Sequence, residues 1–193
     1  MAMPRLFTAL EVPADIGAQL AILRGGLPGA RWIDAENYHV TLRFLGDVDD
    51  RTANEAAHLL DGIAREPIQI SIGELDAFGG DRPRSIIAKV KPNPDLLELQ
   101  AEHERNMRRA GLAPESRKYT PHVTLARLRD VKPRDVADWL STRGGAPRLD
   151  FEAKRFVLLS SRASSGGGPY VLEESFPLGV GEEDEDHHDE AHW

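Results

Sequence analysis

Apolar residues along this chain recur with two periods, and the places where one gives way to the other mark its elements. Pro4 to Val12 is rich in strand formers and is closed by Pro13. Ala14 to Leu27 sets Ile16, Leu20, Ile22 and Leu23 at helical spacing and stops at Pro28-Gly29. Arg31 to Ile33 reads as a short strand. From Tyr38 to Leu45 the pattern alternates cleanly, with Val40, Leu42 and Phe44 on one face and His39, Thr41 and Arg43 on the other. A helix over Thr52 to Arg65 is expected next, then strands near Ile68 to Leu75 and Ser85 to Val90.

Pro92 and Pro94 interrupt the middle of the chain. Asp95 to Ala110 is the longest predicted helix, with Leu96, Leu99 and Met107 on its inner stripe and Gly111 at its end. Pro121 to Leu128 repeats the alternating strand, Arg134 to Thr142 forms a short helix, and strands near Leu149 to Ser161 and Tyr170 to Phe176 follow. The last two are joined by Gly166-Gly167-Gly168-Pro169. Each half thus runs in one order: an alternating strand, a helix, then two strands. The order predicts an α+β fold of two related lobes, residues 1–179 forming one domain.

Composition narrows the chemistry. The 193 residues are 40% hydrophobic and contain no cysteine, which excludes disulfides, thiolate metal sites and a cysteine nucleophile. The missing thiols, the lack of a membrane-length apolar run and an N-terminus unlike a signal peptide suit a cytoplasmic protein, expected to be a monomer. The net charge of -8 would speak against a polyanionic partner if it were spread evenly. It is concentrated in Glu182, Glu183, Asp184, Glu185, Asp186, Asp189 and Glu190, and the rest of the chain is near neutral. Residues 180–193 are therefore expected to be an acidic, disordered tail.

The alternating strands carry the candidate chemistry. His39-Val40-Thr41-Leu42 and His122-Val123-Thr124-Leu125 are identical, a repetition expected by chance in roughly one chain in a thousand of this length. On a strand, Val and Leu point into the core, while His and Thr project together from the opposite face. Two such strands facing a groove would offer two imidazoles and two hydroxyls to one small anion. Phosphodiester cleavage without a metal needs a base for the attacking oxygen and an acid for the leaving one, and histidine serves as either near neutral pH. The threonine hydroxyls can donate to non-bridging oxygens as charge develops on them.

Together with Arg5-Leu6-Phe7-Thr8-Ala9-Leu10, Arg31-Trp32, His39 to Gly46 and Tyr119 to Arg127, the two motifs make the chain resemble the RNA 2',3'-cyclic phosphodiesterase (2'-5' RNA ligase) family of two-histidine phosphoesterases. The resemblance implies a bilobal fold, each lobe with an antiparallel sheet and helices, and an active-site groove between the lobes. It implies His39 as proton donor, His122 as acceptor, and Thr41 and Thr124 as phosphate-binding hydroxyls. The implied substrates are RNA ends or nucleoside 2',3'-cyclic phosphates, with no metal and no cofactor. An arginine at position 127 also fits the family's pattern. Strict alternation would send Arg127 into the core, so a bulge or the strand's end is expected to turn it toward phosphate, the plainer reading being a solvent arginine at a strand terminus.

Other residues are open to two readings. Arg43 shares the predicted face of His39 and Thr41, where it would serve an RNA backbone or stand as an ordinary surface charge. Tyr38 or Tyr119 could stack a base, whereas Phe44 reads as core. Arg82, Arg84, Arg117 and Lys118 lie in loops that could rim a polyanion site. His58 and His103 read as surface residues, and His187, His188 and His192 as adventitious metal ligands at most. A small cyclic nucleotide as substrate, or a non-catalytic binding module, are the alternatives to an RNA-end enzyme.

Overall fold

The protein is described from a computed structural model over residues 5–143, 148–161 and 167–179. The acidic segment, its three histidines, Pro4 and Gly166 lie outside the described residues. In chain order the elements are β1 (Arg5–Glu11), α1 (Ala14–Ala21), β2 (Ala30–Trp32), a single 3-10 turn (Ala35–Asn37), β3 (His39–Asp47), α2 (Asp50–Asp61), β4 (Ile68–Phe78) and β5 (Ser85–Val90). Then come α3 (Pro94–Arg109), β6 (His122–Leu128), α4 (Pro133–Ser141), β7 (Leu149–Ala153), β8 (Arg155–Ser160) and β9 (Val171–Pro177).

Local signals account for most of these boundaries. Asp49 caps α2 by accepting from the Thr52 N–H at 2.7 Å, and Asn93 caps α3 through the Leu96 N–H at 2.9 Å, with Pro94 in the first turn. Helix α1 ends six residues before the helical spacing does. Gly25 and Gly26 take positive φ, and tertiary bonds capture the following loop: Arg143 donates to the carbonyls of Leu23 and Gly25, and Trp139 to Gly25. Ile22, counted as part of the inner stripe, is left 80% exposed.

All strand pairs are antiparallel, in the order β7-β4-β5-β6-β3-β1-β8-β9, with β2 paired to β6. At the centre, β3 and β6 meet through one residue pair, Val40 with Val123. The nine strands form one sheet, and this narrow seam divides it into two halves, the two lobes of the α+β fold. The lobes are not the two sequence halves. Strands β4 and β5, which follow the first motif, pair with β6 of the second, whereas β8 and β9 cross back to β1 and β3 of the first. The main core draws on all four helices and both halves of the sheet.

On the other face lies a smaller apolar cluster: Phe7 and Ala9 from β1, Val157 and Leu159 from β8.

Both motif strands carry the same irregularity. Thr41 pairs with Ala9 and Arg43 with Thr8; Thr124 pairs with Ile87 and Ala126 with Ile86. Leu42 and Leu125 are each the extra residue of a bulge, after which the alternation inverts. The inversion corrects two expectations in β3: Phe44, read as core, is 58% exposed, and Arg43, read as sharing the face of His39, is 7% exposed. A further correction concerns His103. It lies on the stripe of Leu96, Leu99 and Met107, fully buried, with Nδ1 2.9 Å from the Thr8 hydroxyl and its ring edge-on to Phe156. Helical spacing from Leu96 and Leu99 already places position 103 inward; the polar neighbours Glu102 and Glu104 obscured it.

Candidate active site

The seam brings the two motifs together. With Val40 opposite Val123, antiparallel register sets His39 level with Thr124 and Thr41 level with His122, all four on the face opposite the two valines. Cross-strand neighbours stand about 5 Å apart and i, i+2 neighbours about 7 Å, so the quartet frames a patch the size of a phosphoryl group.

Each imidazole is held in the same way. His39 Nδ1 lies 3.0 Å from the Asn37 carbonyl and His122 Nδ1 lies 2.6 Å from the Thr120 carbonyl. A carbonyl only accepts, so each Nδ1 carries the proton and each Nε2 lone pair is left for chemistry. The rings differ in what surrounds them. His39 packs on Phe7 at 5.0 Å and meets the edge of Tyr170 at 5.3 Å, while His122 meets Phe78 edge-on at 4.8 Å. A side chain at Gly168 would overlap the Asn37 carboxamide, so the loop before β9 seats directly on the residue that orients His39.

Burial lowers both titrations. It brings His39 down to about 4, aided by the nearby His122 and Arg127 and opposed by the Asn37 carbonyl. It lowers His122 as well, opposed by the Thr120 carbonyl. Both rings are therefore mostly neutral at pH 7, and whichever acts as acid takes up its proton alongside an anionic substrate.

Beside the quartet lies a groove of about 500 Å³. Its wall includes Thr41, His122, Thr124, Arg127, Arg84, Arg117 and Lys118, against the one carboxylate of Glu115. His39 does not line it. The bulge at Leu125 turns Arg127 out of the core and into this wall, as the sequence led us to expect. Arg82 does not line it.

Two expected substrate contacts are spent on the protein itself. The Arg43 guanidinium pairs with Glu104 and donates to the carbonyls of Phe44 and Ala113, tying β3 to α3 and the loop after it. Tyr119 lines the groove, but its hydroxyl donates to the Thr41 carbonyl at 2.7 Å and braces the first motif. Tyr38 is buried and offers no stacking surface. Phe44, Phe78 and Tyr170 were not anticipated at the site, since each arrives by a bulge, a strand end or a loop. The paired carbonyls two residues before each histidine were legible only as a spacing with no marked residue type.

Two fixed imidazoles, two hydroxyls and a basic wall on one sheet face are the equipment of an acid–base phosphoesterase. A model of the family described as LigT like Phosphoesterase matches the chain twice, over residues 10–88 and 89–170. The chain belongs to this family. It is 30% identical over 167 residues to the RNA 2',3'-cyclic phosphodiesterase of Bacillus subtilis, covering 83% of this chain and 86% of the relative. With the protein of the same name from Methanocaldococcus jannaschii it shares 27% over 171 residues, 87% of this chain and 97% of the other. Among solved structures, TT0787 of Thermus thermophilus superposes with a TM-score of 0.74 at 23% identity, over 90% of this chain and 97% of that one. E. coli LigT complexed with 3'-AMP gives 0.72 at 23%, over 91% and 98%. These last two likenesses establish the fold.

Among the described residues no group of three or more His, Asp or Glu side chains is placed to hold a metal ion, and no helix is long and apolar enough to cross a membrane.

Proposed function

We propose that this protein hydrolyses RNA 2',3'-cyclic phosphate ends to 2'-phosphate ends without a metal or cofactor. The observation that carries the reading is the Val40–Val123 pair, which sets each histidine beside the other motif's threonine. His122 takes a proton from water as the water oxygen bonds to phosphorus. The bond from phosphorus to the 3'-oxygen breaks, and His39 Nε2 delivers a proton to that oxygen. Thr41, Thr124 and Arg127 hold the non-bridging oxygens. With an RNA 5'-hydroxyl attacking a 2',3'-cyclic phosphate in place of water, the same groups would perform 2'-5' ligation.

The order of roles follows the family resemblance. The names of the curated relatives support the substrate, and the lack of cysteine supports a cytoplasmic setting.

Product analysis on an RNA ending in a 2',3'-cyclic phosphate, with and without a chelator, tests the proposal. A 2'-phosphate end formed equally fast in both is expected. A 3'-phosphate product would overturn the assignment of the leaving oxygen, and loss of turnover on chelation would overturn the metal-free mechanism.

A further inference from the structure

Strand β2 fills the fork where β3 and β6 part, and its register sets Arg31 directly across from Arg127. Residues so paired share a face, so Arg31 stands on the side of the sheet that bears the groove. Both arginines are exposed, and among the described residues neither is in an ion pair. Like-charged residues directly opposite each other on antiparallel strands, their Cβ atoms about 5 Å apart, destabilise the sheet, a cost that a bound anion removes. Arg127 lines the groove, and Arg31, beyond its lining, adjoins the catalytic residues through the loop before β9. A Cβ on Gly167 would lie 3.7 Å from Arg31 Nη2, and three residues later Tyr170 meets His39 edge-on. Arg127 is close enough to His39 to affect its titration.

The reacting phosphoryl group already has four side chains around it. Arg127 stands about 7 Å beyond Thr124 along β6 once the bulge is allowed for, and Arg31 stands one strand further out. A guanidinium has five donors in a planar fork suited to phosphate, so Arg127 can serve the reacting group while Arg31 serves a second anion beside it.

We propose that Arg31 binds the phosphodiester one nucleotide upstream of the cyclic phosphate, which makes an RNA 3'-end, and not a lone nucleotide, the substrate this groove selects. The inference rests on the phosphodiesterase reading above and names the substrate feature that reading leaves open.

The test compares kcat/KM on three probes: a nucleoside 2',3'-cyclic phosphate, a dinucleotide with the same cyclic end, and that dinucleotide with a neutral methylphosphonate between its nucleosides. The wild type is expected to prefer the charged dinucleotide over the other two by tenfold or more. Arg31→Ala is expected to bring the ratio of charged to neutral dinucleotide close to one, and Arg31→Lys to restore part of it. A ratio within twofold of the wild type's in Arg31→Ala would overturn the proposal. So would an equal loss on all three probes, which would place Arg31 at the reacting phosphate instead. Circular dichroism melting confirms that each variant is folded. A wild type that turns over none of the probes would overturn the phosphodiesterase reading itself, and this inference with it.

Discussion

Strands β3 and β6 carry the same four residues, the same bulge after them and the same carbonyl two residues before each histidine. They then diverge in every position that touches the groove. Where the bulge turns Arg127 outward on β6, the corresponding position of β3 turns out Phe44. Behind Ala126 on β6 there is only core, whereas its counterpart Arg43 anchors β3 to Glu104. His39 sits among Phe7 and Tyr170, whereas among the described residues His122 has one aromatic contact, Phe78. The duplication has kept the backbone that aims an imidazole and a hydroxyl, and has specialised the rest. One strand turns a cation into the groove wall, and the other turns an aromatic ring.

The comparison breaks most severely if the two imidazoles are not both needed. His39→Ala and His122→Ala are each expected to lower kcat on a cyclic phosphate by about 10³-fold, the usual contribution of one acid or base. Retention of most turnover in either variant would leave a single catalytic histidine. The divergent pair comes next. Arg127→Ala should lower kcat/KM by about 10²-fold, as for loss of a donor to developing charge. Phe44→Ala should act mainly by raising KM, about tenfold, as for loss of one stacked base. Equal effects on kcat in the two variants would deny the specialisation.

A smaller effect sharpens the contrast between the rings. Both histidines are depressed from an ordinary value of 6.5, so the kcat/KM profile should have both limbs on the acid side of that value. Tyr170→Ala admits water to His39, raises its pKa, and should move one limb toward neutrality by about one unit, leaving the other in place. A profile unchanged by Tyr170→Ala would mean that the loop before β9 does not set the environment of His39.

The least effect is on stability. Burial drives His103 to about 3 from an ordinary 6.5. Its folded-state pKa is the lower one, so the unfolded chain binds the extra proton as pH falls below 6.5. Stability present at pH 7 is therefore lost between about 6.5 and about 3, at no more than about 1.4 kcal/mol per pH unit for this group. His103→Asn should flatten the dependence of Tm on pH across that window, as followed by thermal melting, without moving the limbs of the activity profile.

Much of this was legible from residues alone because it is local. Alternation placed His39 with Thr41 and His122 with Thr124, and the ranges of β5 and α3 follow from their flanking prolines and caps. What misled was phase. A bulge adds one residue without altering composition, so Arg43 and Phe44 exchanged faces, although the same device was expected for Arg127. Likewise nothing near Leu23 shows that its carbonyl will be taken by Arg143, more than a hundred residues away, and α1 was expected to run on to Leu27.

By itself, then, the sequence determined that two strands would each project a histidine and a threonine from an apolar backing, because side-chain direction along a strand is set by a two-residue period. Only the tertiary structure decided that those strands would meet at Val40 and Val123, and that β8 and β9 would return to the first lobe and bring Tyr170 to His39. It also decided that β2 would set Arg31 beside Arg127. Such choices depend on which edges pair and in what register. These are settled by burying the core of the whole chain at once, and no stretch of residues encodes them alone.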